Sequence, residues 1–599
     1  MKTFDLSILV GVPTRNLGAE IVPEGVRYTA WAPERTKVEV MVKAEENGSP
    51  RRFALHKNEH GYFIGVDVEG RAGDLYSFEI DGRDGLPDLA SRYQPRGIFG
   101  LSMVIDPQAY HWQAIDWKRP GWQGHVIYEL HVGTFTQAGT FRAAIDRLDY
   151  LHELGVTVIE LMPVAECTGE RNWGYDGTLL FAPYHAYGHP DDLRALVDAC
   201  HAHGLAVMLD VVYNHIGAVG DPTDAYSGFL SHPENTGAWG KSYNLHGKHS
   251  APVRHLLLQN LDYWLREFCI DGFRFDATHA IRDESEKHWL MLASELIHAH
   301  GAFATAEDDR NSAELLKPLT KGGWELDAMW ADDFHHTFRI SQTRESHSYL
   351  GRFTGSAEEI ADTLRHGWYF RGQNHPKLEQ PRGSACNHLP PEQFIYCMSN
   401  HDQVGNRAFG ERLHQSISLE AYRALSLFFC FVPYTPLLFM GQEWAASTPF
   451  LYFTDHPGDF GPLVSEGRKK EFQFDAQEHG RPIPDCQAES TFRDSKLRWD
   501  ELDKPPYAGV LALYREGLKK RCDFFGNKNP DRKSWRVDFD STQLSLTYDL
   551  SSRLVKVTLA LDRREMAAIP GETILRSSEA RFGNDSGKGP ETMVGTLCR

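Results

Sequence analysis

Residues 206–215 read Ala-Val-Met-Leu-Asp-Val-Val-Tyr-Asn-His, an apolar, partly β-branched run that turns polar at its end. A short run of this kind is the mark of a strand buried on both faces whose C-terminal tip opens onto a pocket. Seven more runs share the pattern, at Val126–Val132, Val156–Met162, Gly272–Asp276, Ala302–Ala306, Leu326–Trp330, Phe394–Met398 and Pro436–Met440. Amphipathic stretches lie between them. In Pro252–Phe268, Pro252 suits a first helical turn, and Leu257, Leu261, Trp264, Leu265 and Phe268 form one apolar stripe. Eight strands alternating with helices predict an α/β protein built on a central (β/α)8 TIM barrel. The longer insertions, around 213–250, 310–325, 340–390 and 443–500, mostly follow strands, at the end of a barrel where active sites are built.

Outward from the barrel the rhythm changes. From about residue 10 to 108, alternating runs such as Val26–Trp31, Val38–Val42 and Tyr62–Val68 are broken by Gly, Pro and Asn clusters, which predicts an antiparallel sandwich. After a helix over Tyr507–Lys520, strands return at Ser534–Phe539, Leu544–Tyr548 and Val555–Leu561. The expected division is an N-terminal β-sandwich over 1–109, a catalytic barrel with insertions over 110–520 and a small C-terminal β domain over 521–599. The last twenty residues are polar and Gly-rich and carry no strand pattern, so they are expected to be poorly ordered or atypical.

Composition narrows the function. Lys plus Arg number 63 against 82 for Asp plus Glu, a net charge of −19 that argues against nucleic acid or an anionic membrane as partner. The nine cysteines are too sparse for a disulfide scaffold and form no CxxC pair, so they are expected to be reduced. The N-terminus lacks a signal-peptide pattern, and Ala424–Met440 is interrupted by Pro433 and Pro436, which predicts a buried helix and strand rather than a membrane span. A cytoplasmic protein is expected. His335-His336 has no HExxH or comparable ligand set beside it, and neither metal nor cofactor is expected.

Four segments put ionisable residues at or just after strand ends, where side chains from different strands converge. They are Asp210-Val-Val-Tyr-Asn-His215, Asp271-Gly-Phe-Arg-Phe-Asp276, Ala304-Thr-Ala-Glu307 and Met398-Ser-Asn-His-Asp402. Arg274 and Asp276 are two apart on a strand and share a side, so the guanidinium should keep Asp276 ionised. Glu307, with a second anionic group nearby, should have its pKa raised and suit proton donation. Such a pair resembles the two carboxylates of a retaining glycosidase. Singly, each is more simply read as a cap or surface ion pair. His201, His203, His298 and His300 sit at predicted helix C-termini, where dipole contact explains them. Aromatics such as Trp173 and Tyr175 in Asn172-Trp-Gly-Tyr-Asp176 suit stacking on sugar faces, although core filling accounts for most of them.

At these four segments the sequence resembles the α-amylase superfamily of glycoside hydrolases. The resemblance implies Asp276 as nucleophile, Glu307 as acid/base and Asp402 as the carboxylate that binds sugar hydroxyls and distorts the ring at the cleavage point. It also implies that His215, Arg274 and His401 assist there, that Tyr175 stacks under the sugar and that Asp210 organises the site. Residues 172–188 and 87–100 resemble the group holding branching enzymes, isoamylases and trehalohydrolases. Stretches 327–336, 450–456, 466–472 and 491–497 are similar to the maltooligosyltrehalose trehalohydrolase family, from which the C-terminal tail departs.

That similarity implies cleavage of the α-1,4 bond next to the terminal trehalose of a maltooligosyltrehalose, with net retention and release of trehalose. The ligands implied are maltooligosyltrehalose and related α-1,4-glucans, and the enzyme implied beside it in a pathway is a trehalose-forming maltooligosaccharide isomerase. Asp332, Asp333, Phe334 and His336, which follow the sixth strand, are candidates for recognising the trehalose side; otherwise they are a solvated acidic loop. A glycogen branching enzyme, which passes the glycosyl group to a sugar hydroxyl, and a non-catalytic carbohydrate-binding relative remain alternatives. A phosphate-binding barrel lacks support, since no Gly-rich loop follows the last strands.

Overall fold

Eight short parallel strands close on themselves in the computed structural model, which describes residues 5–11, 16–45, 48–237, 239–345, 348–550, 553–561, 572–583 and 590–597. Strands Ile127–Leu130, Val158–Leu161, Ala206–Val211, Gly272–Phe275, Phe303–Ala306, Ala328–Trp330, Phe394–Cys397 and Thr435–Phe439 pair in sequence order, and Leu437 returns opposite Ile127 to close the ring. Each lies where the sequence pattern predicts a strand. Side chains alternate between two apolar environments, as a period of two requires. Ala206 and Met208 join Ile127, Val158, Phe303 and Leu437 in one cluster, while Val207 and Leu209 enter the larger core. Gly272 opens the fourth strand because a Cβ there would come within 2.1 Å of the Phe303 ring.

Helices sheathe the barrel. Ser250–Glu267 buries Leu257, Leu261, Trp264 and Leu265, the stripe expected of it. Leu419–Cys430 and Thr435–Phe439 are the buried helix and strand expected of the most apolar stretch. Among the described residues no helix is long and apolar enough to cross a membrane.

The N-terminal unit packs two antiparallel sheets, one holding Gly18–Val22, Gly25–Trp31 and Tyr62–Asp67, the other Arg51–Ala54, Val38–Lys43, Leu75–Ile80 and Arg83–Leu86. Tyr28 and Tyr76 meet edge to face between them at 5.0 Å. This unit grips the chain that follows the third barrel strand. Glu34 accepts from the Ser227 hydroxyl at 2.9 Å and the Gly228 amide at 2.8 Å. Arg35 donates to the carbonyls of Asp224 and Tyr226, and the Tyr226 hydroxyl donates back to the Pro87 carbonyl at 2.7 Å. The hairpin Ser231–Gly237 and Gly240–Tyr243 leaves from that segment.

Helix Tyr507–Phe525, longer than expected by five residues, carries the chain to the C-terminal sheet. Its Arg521 is buried and donates to the carbonyls of Cys430, Val432 and Tyr434, tying this helix to the turn before the eighth strand. One expectation is corrected in this sheet. The tail is not structureless: Thr592–Leu597 forms a strand, inserted between Arg553–Ala560 and Glu572–Arg576. Val594 pairs with Val557 on one side and Leu575 on the other and is fully buried. Gly595 interrupts the local apolar alternation, and the partners are distant in sequence, so tertiary pairing rather than propensity makes the strand. Cys598 lies outside the described residues.

A charge in the middle of that sheet has no partner, and buried unpaired charge is among the few single changes that cost more than about 3 kcal/mol. Val594→Asp should therefore unfold at markedly lower urea than the parent, whereas Thr596→Asp, at a half-buried position, should shift the midpoint far less.

Candidate active site

The fourth barrel strand ends in Arg274 and Asp276, and the first of these is the hub of the barrel mouth. Its side chain is fully buried. One terminal nitrogen, Nη1, donates to Asp210 Oδ2 at 2.6 Å and to Asp276 Oδ1 at 2.9 Å, and Nη2 donates to Glu307 Oε2 at 2.6 Å. Three carboxyl groups, from the ends of the third, fourth and fifth strands, thus meet on a single guanidinium. Trp330, from the sixth strand, lies against its face at 4.2 Å, which favours a cation electrostatically.

The carboxyl groups do not share one protonation state. Burial raises Asp276, but Arg274, the Asn214 amide that donates to its Oδ2 at 2.6 Å, and the charges of His215 and His401 outweigh burial and hold it below the ordinary value of 3.8. Glu307 goes the other way. Burial is the largest influence, Arg274 opposes it, and Asp276 and Asp402 reinforce it, leaving the carboxyl well above its ordinary value. Asp210, buried beside Arg274 and Asp276, is pushed up to about 6. One carboxylate stays ionised and a neighbour on the same guanidinium keeps its proton. That separation is what acid/base chemistry on a sugar acetal needs.

Local backbone geometry fixes the pair. Ala277 adopts a left-handed conformation with φ of +38°, uncommon for a residue with a side chain. Its amide donates to Glu307 Oε2 at 3.1 Å, and the next amide, of Thr278, donates to the Glu307 carbonyl at 2.9 Å. The turn after Asp276 therefore holds Glu307 by side chain and backbone together.

Asp402 lies in the short helix His401–Gly405, capped by the Asn400 side chain, and is about one-third exposed. Asn406 donates to its Oδ1 at 2.9 Å, and His401 Nε2 lies 3.5 Å from the same oxygen. Tyr175 donates to Asp210 Oδ2 at 2.7 Å and stacks on the His401 ring at 5.0 Å. His215 is spent inside the protein, with Nε2 on the Tyr175 carbonyl at 2.9 Å and Nδ1 against the Asn214 amide oxygen. It steadies the Asn214 side chain that holds Asp276. Trp239 sits exposed near the hairpin tip, 6.1 Å from the His215 ring.

The four candidates after the sixth strand part company. Asp332 is brought toward the cluster: burial and the neighbouring Asp402 and Asp333 push its carboxyl up to about 7. The other three require correction. Asp333 is buried, and its Oδ2 takes the Asn311 amide and the backbone amides of Tyr369 and Phe370 at 2.8 to 3.0 Å, so it anchors a loop. Phe334 is fully buried and stacked on Tyr396 at 4.3 Å, and His336 is buried against Phe353. They belong to the packing of helix Asp333–Thr343, not to a solvated loop.

Other histidines carry specific contacts rather than dipole contact alone. His201 pairs with Asp271 at 2.8 Å and stacks on Trp117, His203 pairs with Asp149, His298 with Asp327 and His300 with Asp262. Among the described residues no group of three or more His, Cys, Asp and Glu side chains is arranged to hold a metal. Sequence reading missed Asn214, Trp330 and a buried Glu129 that pairs with His401. The signal for Glu129 was present, since an acidic residue inside Val126–Val132 is as anomalous as Asp210 inside its own strand.

The chain is similar to known proteins along most of its length. Residues 115–236 match the alpha amylase catalytic domain and 16–107 match carbohydrate-binding module 48, the isoamylase N-terminal domain. The chain is 38% identical to the malto-oligosyltrehalose trehalohydrolase of Deinococcus radiodurans, over 97% of both chains. It is 37% identical to the protein of that name from Saccharolobus solfataricus, over 85% of this chain and 87% of the relative. A crystal structure of a candidate alpha amylase from Salmonella typhimurium superposes with a TM-score of 0.88 at 35% identity, covering 98% of this chain and all of that one.

Arg274→Met retains much of the side-chain bulk but removes the charge common to three carboxyl groups, and breaking a buried ion pair in this way costs about 3–5 kcal/mol. Asp276, depressed in the folded protein, contributes stability above its unfolded value of 3.8 that is lost as the pH falls through its folded value. The variant lacks that contribution. The stability gap between it and the parent, measured by urea unfolding across pH, should be widest near neutrality and narrow in acid.

Proposed function

The chain belongs to the malto-oligosyltrehalose trehalohydrolase family of α-amylase-type glycoside hydrolases, and from that membership we propose that it hydrolyses the α-1,4 bond joining a maltooligosaccharide to a terminal trehalose, with retention. The observation that carries the mechanism is the meeting of Asp276 and Glu307 on one guanidinium, where their surroundings push the two carboxyl groups in opposite directions. A shared guanidinium keeps the two carboxyl groups close, in keeping with the spacing of about 5–5.5 Å that retaining enzymes use.

In the first step the Asp276 carboxylate attacks the anomeric carbon while Glu307 delivers its proton to the glycosidic oxygen. The bond from carbon to that oxygen breaks, trehalose leaves, and an ester to Asp276 forms. Glu307, now ionised, takes a proton from water as the water attacks the same carbon. The ester opens, releasing the maltooligosaccharide and restoring both carboxyl groups. Asp402 and His401 are suited to grip hydroxyls of the sugar undergoing attack, Tyr175 to face its ring, and Asp210 to hold Arg274 and Tyr175 in place. Asp332, near Asp402, is the one member of its group suited to the leaving-group side.

A substrate ending in an α,α-1,1 linkage must come from a reaction that isomerises the terminal α-1,4 bond of a maltooligosaccharide. This chain would act after such an isomerase, on α-1,4-glucans. All eight described cysteines are free, which supports a reducing, cytoplasmic setting.

Maltotriosyl-trehalose and maltopentaose, which have equal sugar counts, discriminate the readings when products are followed by chromatography. Fast release of trehalose with slow attack on maltopentaose is the expected result; new α-1,6 branches would mean transfer, and turnover of neither would reject the mechanism. Glu307→Gln should lower turnover by about 10²–10⁴-fold. The parent's kcat/KM should fall in acid as Asp276 gains a proton and fall in alkali as Glu307 loses its own, and Glu307→Gln should lose the alkaline limb that belongs to Glu307.

A further inference from the structure

Beneath the catalytic carboxyl groups lies a buried ion pair whose carboxylate the mechanism above leaves unused. Glu129, in the first barrel strand, is fully buried in an otherwise apolar run. Its Oε1 meets His401 Nδ1 at 2.5 Å, and its Oε2 accepts the His401 backbone amide at 3.0 Å. Both oxygens therefore engage one residue, at its ring and at its main chain. Side chains that hold a neighbour at two points fix orientation as well as charge. The other ring nitrogen, Nε2, lies 3.5 Å from Asp402 Oδ1. A neutral imidazole has one N–H and could serve only one of these two carboxylates as a donor; the doubly protonated ring can serve both.

We propose that Glu129 is a positioning residue for the reaction, clamping His401 as an imidazolium whose Nε2–H is aimed at Asp402 and the sugar hydroxyls beside it. The inference deepens the proposed function and rests on the roles given there to His401 and Asp402. The groups around the ring favour this. Carboxyl groups face it from the first four barrel strands, namely Glu129, Glu160, Asp210 and Asp276, and Asp402 adjoins it. The cationic candidates are Arg274 and His131. Arg274 is already bonded to three carboxyl groups, and burial pushes His131 down to about 4, so it is neutral near pH 7. Glu160, opposite Glu129 in the strand register, is driven well above its ordinary value by burial and then by Glu129, and keeps its proton. Burial lowers His401, yet Asp402 and Glu129 prevail and raise it to about 10.

Glu129→Gln keeps the shape and removes the charge. The first readout is the ring titration of His401 in the free enzyme, followed by NMR of 13C-labelled histidine and assigned by the signal missing in His401→Asn. Losing a charge-assisted hydrogen bond should move that titration down by about one to two pH units. The second is the pH profile on maltotriosyl-trehalose. With the imidazolium less stable, loss of the His401 proton should add its own fall in kcat/KM at lower pH than in the parent, separate from the limb that belongs to Glu307, and kcat at neutral pH should fall about 10- to 100-fold. Glu129→Asp, which keeps the charge with a shorter reach, should restore the ring titration but not full turnover. A His401 ring that titrates identically in parent and Glu129→Gln would overturn the inference, leaving Glu129 a mere filler of the barrel. The NMR readout needs no substrate, so failure of the parent to release trehalose would reject the proposed function without touching this result.

Discussion

The structure of the barrel mouth depends on a buried guanidinium. Arg274 has no exposed surface, and a charge taken out of water at that depth is tolerated only if partners replace its hydration. Here three carboxyl groups and the Trp330 face do so. Each partner arrives from a different strand end, so the requirement to neutralise one cation fixes the register of adjacent strands and the aim of their last side chains. Asp210 stands directly opposite Arg274 in the pairing of the third and fourth strands. A slip of one residue would turn one of them out of the barrel.

Too many carboxyl groups share too few cations, and that imbalance divides the labour. Asp276 has Arg274 and the Asn214 amide and stays ionised. Glu307 receives one end of the same guanidinium but faces Asp276 and Asp402, and keeps its proton. The same logic operates one layer down, where Glu129 has His401 as partner and Glu160 has none of its own among the described residues. Protonation in this barrel is assigned by competition for a few donors.

Much of this was legible in the sequence, for identifiable reasons. One carboxyl group at a strand tip reads as a cap or a surface ion pair, but four such segments at the ends of different strands converge on one mouth, so Asp210, Asp276 and Glu307 could be picked out together. Glu129 could have been, but a single acidic residue in a strand was absorbed into the strand pattern. Residues 332–336 were beyond such reading. A helix starts at Asp333, each residue is turned by about 100° from the last, and consecutive side chains cannot line one wall. Only Asp332 remains near Asp402, while Asp333 and Phe334 turn into the core. The tail strand was hidden for a different reason. Its partner Val557 lies far back in the chain, and nothing local encodes that pairing.

The hold of Glu34, Arg35 and Pro87 on residues 224–228 makes the N-terminal unit part of the catalytic barrel's own wall. A module hung on a flexible linker can be exchanged, duplicated or lost without consulting the enzyme. This one is bonded to its neighbour, and the chain it clamps leads into the hairpin that carries Trp239 and passes beside His215. The sandwich surface thereby helps to set where that hairpin starts. The border between carbohydrate module and enzyme is a line in the chain more than a division of the machine.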